Sequence, residues 1–223
     1  MAEQIKEQPT NGVGTKLIAV VICLGVFLWV FSMIKGSIDK RGNSDRLTCK
    51  IEADELKVGN LITAGTMQGI IYEVDPETGL GKAISVEQPR LKMKWCSDEH
   101  VVTNGVDATS KDDGYINSQM LRCGASSDYP ADNWCKRGGE EWYLPSITEL
   151  EAVYNSKSTI DSVLLSLGKK GLSNNYWSST VMENNQAIKL YRAWVVNMGN
   201  GGKTMRLLNS RADVRAIVIV EAK

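Results

Sequence analysis

Glu141-Trp142-Tyr143-Leu144-Pro145-Ser146-Ile147-Thr148-Glu149-Leu150 is the stretch from which the fold is read. Pro145 disfavours the helical region at Leu144, so the chain stays extended up to that point. Ser146 and Glu149 then have the S-x-x-E spacing of a capping box, in which each side chain bonds the other residue's backbone N–H. Behind this start, Ile147, Leu150 and Tyr154 share one helical face, with Val153 close by. Ahead of it, Trp142, Tyr143 and Leu144 carry more apolar surface than a solvated loop needs. Burial of such side chains is worth roughly 1.5–3 kcal/mol each, so the stretch is expected to anchor the core.

Downstream, Ile160, Val163, Leu164 and Leu167 give a second helical face, stopped by Gly168. The last third then turns β-like. Tyr176–Val181, Arg192–Met198, Lys203–Leu208 and Val214–Glu221 read as strands, and Gly199-Asn200-Gly201-Gly202 makes a tight turn between the second and third. Ile217-Val218-Ile219-Val220 is continuously apolar, as in a strand buried on both faces. Upstream, Gly69–Asp75 and Lys82–Val86 form a hairpin around Pro76-Glu77-Thr78-Gly79, while Glu55–Asn60 forms a short strand or turn. Tyr115–Arg122 and Ala131–Lys136 suit short helices, and residues 97–114 read as loop. The pattern is α+β.

The N-terminal end has a different character. Residues 1–16 are polar, with Pro9 and Gly12, and read as a disordered tail. Leu17–Ile34 holds no charge and is bracketed by Lys16 and Lys35. Its length matches the ~30 Å hydrocarbon core of a membrane at about 1.5 Å per residue. No small-x-small cleavage site follows, which favours an uncleaved signal anchor over residues 17–35. Cys23 inside it reads as a small apolar residue. Residues 36–60 form a charged juxtamembrane linker and 61–223 the main domain. Lys35, Lys40, Arg41, Arg46 and Lys50 on the distal side oppose an outward domain, but the positive-inside rule is weak for long translocated domains.

A set of motifs falls in one order: Pro130-Ala131-Asp132-Asn133-Trp134-Cys135, Trp142–Ser146 with Glu149-Leu150, Tyr176-Trp177-Ser178-Ser179-Thr180, Ala193-Trp194 and Val214-Arg215-Ala216. The series resembles the bacterial DUF1566 or Lcl C-terminal-like domains, relatives of the Fibrobacter major paralogous domain, over about residues 65–221. The resemblance implies a C-type-lectin-like fold with the terminal strand central, and Trp177, Trp194 and Arg215 as structural residues. Together with the cysteines it implies a single-pass membrane protein whose C-terminal domain lies outside the cytoplasm. The fold hosts many unrelated activities, so it does not dictate one.

Composition narrows the chemistry. Lys+Arg and Asp+Glu are both 26, giving a formal net charge of zero. No basic stripe points to nucleic acid. Six Trp and seven Tyr against two Phe suit either a core or a binding surface. The one His, His100, stands beside Glu99 in a hydrophilic stretch with no nucleophile motif, so it reads as solvated. Glu140-Glu141 and Asp112-Asp113 also read as solvated charges. No C-x-x-C occurs, and neither Glu-Pro-Asn nor Trp-Asn-Asp is present to hold calcium; Trp194-Val195-Val196-Asn197 puts valines where oxygen ligands would be needed. No cofactor and no metal are expected. Cys49, Cys96, Cys123 and Cys135 suggest disulfides with three possible pairings. Cys123 with Cys135 would tie the two short helices, and Cys49 with Cys96 would staple the linker to the domain.

What remains is binding. Met182-Glu183-Asn184-Asn185-Gln186 and Gly199–Lys203 are amide- and glycine-rich loops beside predicted strands, and in lectin-like folds the corresponding loops carry the ligand. Asn184, Asn185, Gln186, Asn200 and Lys203 are the candidate contacts, with Tyr191, Arg206 and Asn209 near enough in sequence to join them. The expectation is a membrane-anchored bacterial envelope protein that binds a glycan or a surface protein without catalysis. A structural subunit of a pilus-like or envelope assembly, oligomerising through its N-terminal helix, is the alternative. The absence of an early Glu in that helix counts against a type IV pilin. An enzyme like the formylglycine-generating enzymes is a third reading, with no matching catalytic context.

Overall fold

The computed structural model describes residues 46–97, 107–121, 128–182 and 191–223, all within one compact unit, Arg46–Lys223. This unit is a mixed α+β domain with more strand than helix. Among the described residues ten strands form three sheets: β1 Cys49–Ile51, β2 Leu61–Ala64, β3 Met67–Val74, β4 Leu80–Ser85, β5 Met93–Lys94, β6 Asn175–Val181, β7 Arg192–Asn197, β8 Lys203–Leu207, β9 Arg211–Ala212 and β10 Ile217–Ala222. The largest sheet runs β1-β10-β4-β3-β2; β5 pairs with β9, and β6-β7-β8 form the third. The helices are α1 Gly114–Leu121, α2 Pro130–Cys135, α3 Ile147–Asn155 and α4 Lys157–Ser166, with a 3₁₀ turn at Lys136–Gly138.

The capping box at the start of α3 forms as its spacing requires. Ser146 Oγ accepts from Glu149 N, and Glu149 returns the bond to Ser146 N. Ile147, Leu150 and Val153 are buried and Tyr154 is half-buried. On α4, Ile160 and Leu164 face the core, whereas Leu167 lies at the exposed end, where Gly168 turns the chain at φ 69°.

β10 is an inner strand, parallel to β1 and antiparallel to β4. Its period-2 alternation places Val218 and Val220 in one apolar cluster and Ile217 and Ile219 in another. β3 does the same with Ile71 against Ile70 and Tyr72, across a register shift between Ile71 and Glu73. The large sheet is thus buried on both faces, which is why these strands read as unbroken apolar runs. Trp142 is fully buried and donates from Nε1 to Ala64 O at 2.9 Å. It lies so close to Gly138 that a Cβ there would stand 2.6 Å from the indole Cδ1.

Two short strands differ from the sequence reading. β1 lies inside the stretch read as linker, and β2 follows the expected strand or turn at Glu55–Asn60, which forms turns. β1 has three residues and β2 alternates exposed and buried, as edge strands do, so neither carries a strong apolar signal. The start of the unit is pinned at Arg46, which pairs with Asp113 and stacks 5.5 Å over the Tyr115 ring. Among the described residues no helix is long and apolar enough to cross a membrane. The run Leu17–Ile34 lies outside them.

Candidate ligand-binding site

Two places collect charged side chains. The first is a buried knot around Glu149, 3% exposed. Its Oε2 accepts from Ser146 N at 2.9 Å and Gly114 N at 3.1 Å. Its Oε1 accepts from the Tyr143 hydroxyl at 2.9 Å and sits 3.2 Å from Lys82 Nζ. One carboxylate therefore caps α3, tethers the N-terminus of α1 and holds Lys82 of β4. Gly114 has to be glycine here, since a Cβ would lie 2.6 Å from Glu149 Oε2. Burial, with Glu149 second, holds the Tyr143 and Tyr72 hydroxyls well above the usual phenol range. The Tyr72 hydroxyl is buried without a partner.

The recurring Ser and Thr residues belong to the same framework. Thr180 Oγ1 accepts from Ile147 N and donates to Ser110 O, while Asn117 Nδ2 donates to Ser110 O and to Ser179 Oγ. Asp113 accepts at Oδ1 from Ile116 N, and Asp112 accepts from Thr148 Oγ1. Asp112 is exposed, in keeping with a solvated charge, and touches the start of α3 through Thr148; the reading of Asp113 as solvated is corrected, because it is half-buried, caps α1 and pairs with Arg46. A local sequence cannot reveal this, because Arg46 and Thr148 are distant along the chain.

The second place is an open cleft of about 580 Å³ beside the segment Gln88–Lys94. That segment has almost no ladder of its own, and Pro89 has no N–H to offer one. Side chains and neighbouring strands fix it instead. Arg215 Nη1 donates to Ser85 O at 2.5 Å and Val86 O at 2.8 Å; Tyr176 donates from its hydroxyl to Gln88 Oε1 at 3.0 Å. Arg211 Nη1 donates to Lys92 O and Trp177 Nε1 to Met93 O, each at 2.9 Å. Beyond it, Trp95 N and Cys96 N both donate to Leu208 O, and Trp95 Nε1 to Ser178 O at 2.8 Å. Trp177 and Arg215 are buried and spend their polar groups on this framework; Trp194 is half-buried.

The cleft's walls are apolar and its rim is cationic. Pro89, Leu91, Met93, Pro130 and Trp134 supply the walls; Leu91 is 78% exposed and Trp134 9%. Arg90, Lys92, Lys94, Arg137 and Arg211 line the same space, and no carboxylate is among the described residues that line it. Lys94 and Arg211 stand opposite each other in the β5–β9 register. Asp213 interacts with Lys92 of the rim and with Arg215. Burial pushes its carboxyl above the ordinary range, against Lys92, Asn174 and Arg215, which favour the ionised form. The left-handed Asn174, at φ 66°, is positioned beside it.

Among the described residues, the sequence-predicted contacts fall into two groups, one at each end of β8. Asn200 closes its own turn by accepting from Gly202 N, and Lys203 pairs with Glu151 of α3. Gly201 rests on the Tyr154 ring, so this turn docks on α3. Arg206 lies towards the far end of β8, where its Nη1 reaches Arg211 O at 3.4 Å; Tyr191 O accepts from Leu208 N, and Asn209 is exposed in the next turn. Arg206 is three residues from Lys203, so at about 3.4 Å per residue the two stand roughly 10 Å apart along β8, and the odd spacing turns their side chains to opposite faces. Asn184, Asn185 and Gln186 lie outside the described residues, as do Cys123 and His100.

Cys49 and Cys135 are free thiols, so neither Cys49–Cys96 nor Cys123–Cys135 is bridged. Cys135 is spent inside α2, donating to Ala131 O, and Cys49 points at Thr63 O. Burial raises both thiol pKa values, with Asp132 adding to Cys135 and Glu141 to Cys49, which leaves them poor nucleophiles.

No protein-family model matches the chain. No curated protein matches it either. Sequence reading missed Arg90, Lys92, Lys94, Trp134, Arg137 and Arg211. A local signal existed in Arg90-Leu91-Lys92-Met93-Lys94, where cations and apolar residues alternate without an acid. Arg137 and Arg211 reach the cleft only through the fold.

Proposed function

We propose that this chain is a bacterial envelope protein that displays a C-type-lectin-like domain and binds a glycan or protein ligand without turning it over. In this reading Leu17–Ile34 is a signal anchor and the domain lies outside the cytoplasm. The observation that carries the binding role is the cleft at Gln88–Lys94, a concave, mostly apolar surface with convergent polar groups on a rigidly held segment. Its volume falls within the roughly 300–1,000 Å³ usual for ligand sites. The motif residues support the fold assignment because Trp142, Trp177, Arg215 and Glu149 all hold the framework.

The test uses full-length protein in a non-ionic detergent, applied to a glycan array and to a pull-down of envelope proteins. A saturable ligand recovered chemically unchanged is the expected result. Retention of nothing, or release of a modified product, would overturn the binding role. Carbonate extraction tests the anchor separately: the full chain should stay with the membrane, and its recovery in the soluble fraction would remove that part of the reading.

A further inference from the structure

We infer that the cleft takes an acidic peptide segment carrying apolar side chains, presented by a partner protein. The inference rests on the ligand-binding reading and chooses between its two ligand classes. The charge of the cleft is one-sided. The chain has zero formal net charge, yet Arg90, Lys92, Arg137 and Arg211 line this one space and no carboxylate is among its described lining residues. Three are arginines, whose planar forks match carboxylates in paired hydrogen bonds.

The walls select against a sugar. Sugar hydroxyls need many amides, carboxylates or an exposed aromatic face for the ring. Here the lining amide is Gln88, whose Oε1 already accepts from Tyr176, and Trp134 is only 9% exposed. Leu91, Met93, Pro89 and Pro130 would leave hydroxyls without partners, at a desolvation cost. The same groups suit leucine or phenylalanine side chains. A ligand that alternates carboxylates with apolar groups satisfies both features, and an extended peptide has that alternation at a spacing of about 3.3 Å per residue. Arg90, Leu91 and Lys92 are exposed, so their presentation costs the framework little.

The test titrates full-length protein, in a non-ionic detergent, into the fluorescein-labelled octapeptide Asp-Leu-Glu-Phe-Asp-Leu-Glu-Leu and follows anisotropy. Three labelled probes accompany it: the same peptide with amides for acids, with serines for apolar residues, and a hexagalacturonate. The acidic–apolar peptide should saturate, and more tightly at low salt. The amide and serine versions should bind about tenfold more weakly or worse, because each lacks one of the two recognised features. Arg90→Glu with Lys92→Glu should lose the acidic peptide and gain a charge-reversed one while melting like the wild type. Arg137→Glu, on a different element, repeats the test should the pair misfold. Equal binding of the amide peptide, no saturation by the acidic one, or wild-type binding by both variants would overturn the inference. Preference for the hexagalacturonate would overturn the peptide class and leave the ligand-binding reading standing. That reading fails when the glycan array and the envelope pull-down also retain nothing, or when the recovered ligand is chemically modified.

Discussion

The Glu149 knot and the Gln88–Lys94 cleft are both built from charged side chains, and they spend them in opposite directions. In the knot, a nearly inaccessible carboxylate meets two backbone N–H groups, a tyrosine hydroxyl and a lysine. Every lone pair is turned inward, so nothing is left for a ligand. At the cleft, the backbone is fixed by other residues' side chains, and Arg90 and Lys92 extend into solvent. Charge that is fully satisfied internally holds a fold together, whereas charge presented on a fixed backbone is available for recognition. The comparison separates two roles that composition alone would merge.

The sharpest way to break it is Glu149→Ala. Removing one member of a buried charged network typically costs about 3–5 kcal/mol, because the remaining groups stay buried without partners. Trp142→Ala should fall in the same range of about 3–5 kcal/mol, as expected for truncating a buried indole. Both are read by chemical denaturation, and a midpoint near the wild type for either would show that the framework lies elsewhere.

Two tyrosines then test the knot from within. Tyr143→Phe removes a hydrogen bond to a charged acceptor and should cost about 1.5–3 kcal/mol. Tyr72→Phe removes a buried hydroxyl that has no partner, and should be neutral or slightly stabilising. Equal losses for the pair would contradict the assignment of Glu149 Oε1 to Tyr143.

Beneath the cleft, Asp213 gives a pH signature. Its folded-state pKa is raised by burial, so as pH rises the unfolded state loses its proton first. Its contribution to stability is therefore fullest below the ordinary aspartate value of about 3.9, declines as pH rises from there through the folded pKa, and then levels off. Asp213→Asn should raise the melting temperature at pH 7 and have little effect at pH 3. The reverse dependence would mean that Lys92 and Arg215 outweigh burial. The smallest effect belongs to the rim: Arg90→Glu with Lys92→Glu should change stability by less than about 0.5 kcal/mol in either direction.

The framework was legible because its signals are local. The S-x-x-E cap, Pro145 ahead of it and the apolar run Ile217–Val220 each report their own structure within a few residues. Edge strands β1 and β2 were not legible, since short, half-exposed strands alternate too briefly to stand out. The role of Asp113 was hidden for another reason: its partner Arg46 is remote in sequence. The cleft combines both difficulties. Gln88–Lys94 has no regular pattern of its own, and Trp134, Arg137 and Arg211 join it from α2, the following turn and β9. The amide-rich turn Gly199–Lys203 drew notice by composition, yet its groups are used to close the turn and dock it on α3.

Hydrogen–deuterium exchange of the full-length protein, with and without saturating acidic–apolar octapeptide, addresses the central claim most directly. Protection gained at residues 88–94 and 134–137, with the turn at 198–202 unchanged, is the predicted result. Protection at the turn with none at 88–94 would contradict it and return the ligand face to Asn200 and Lys203.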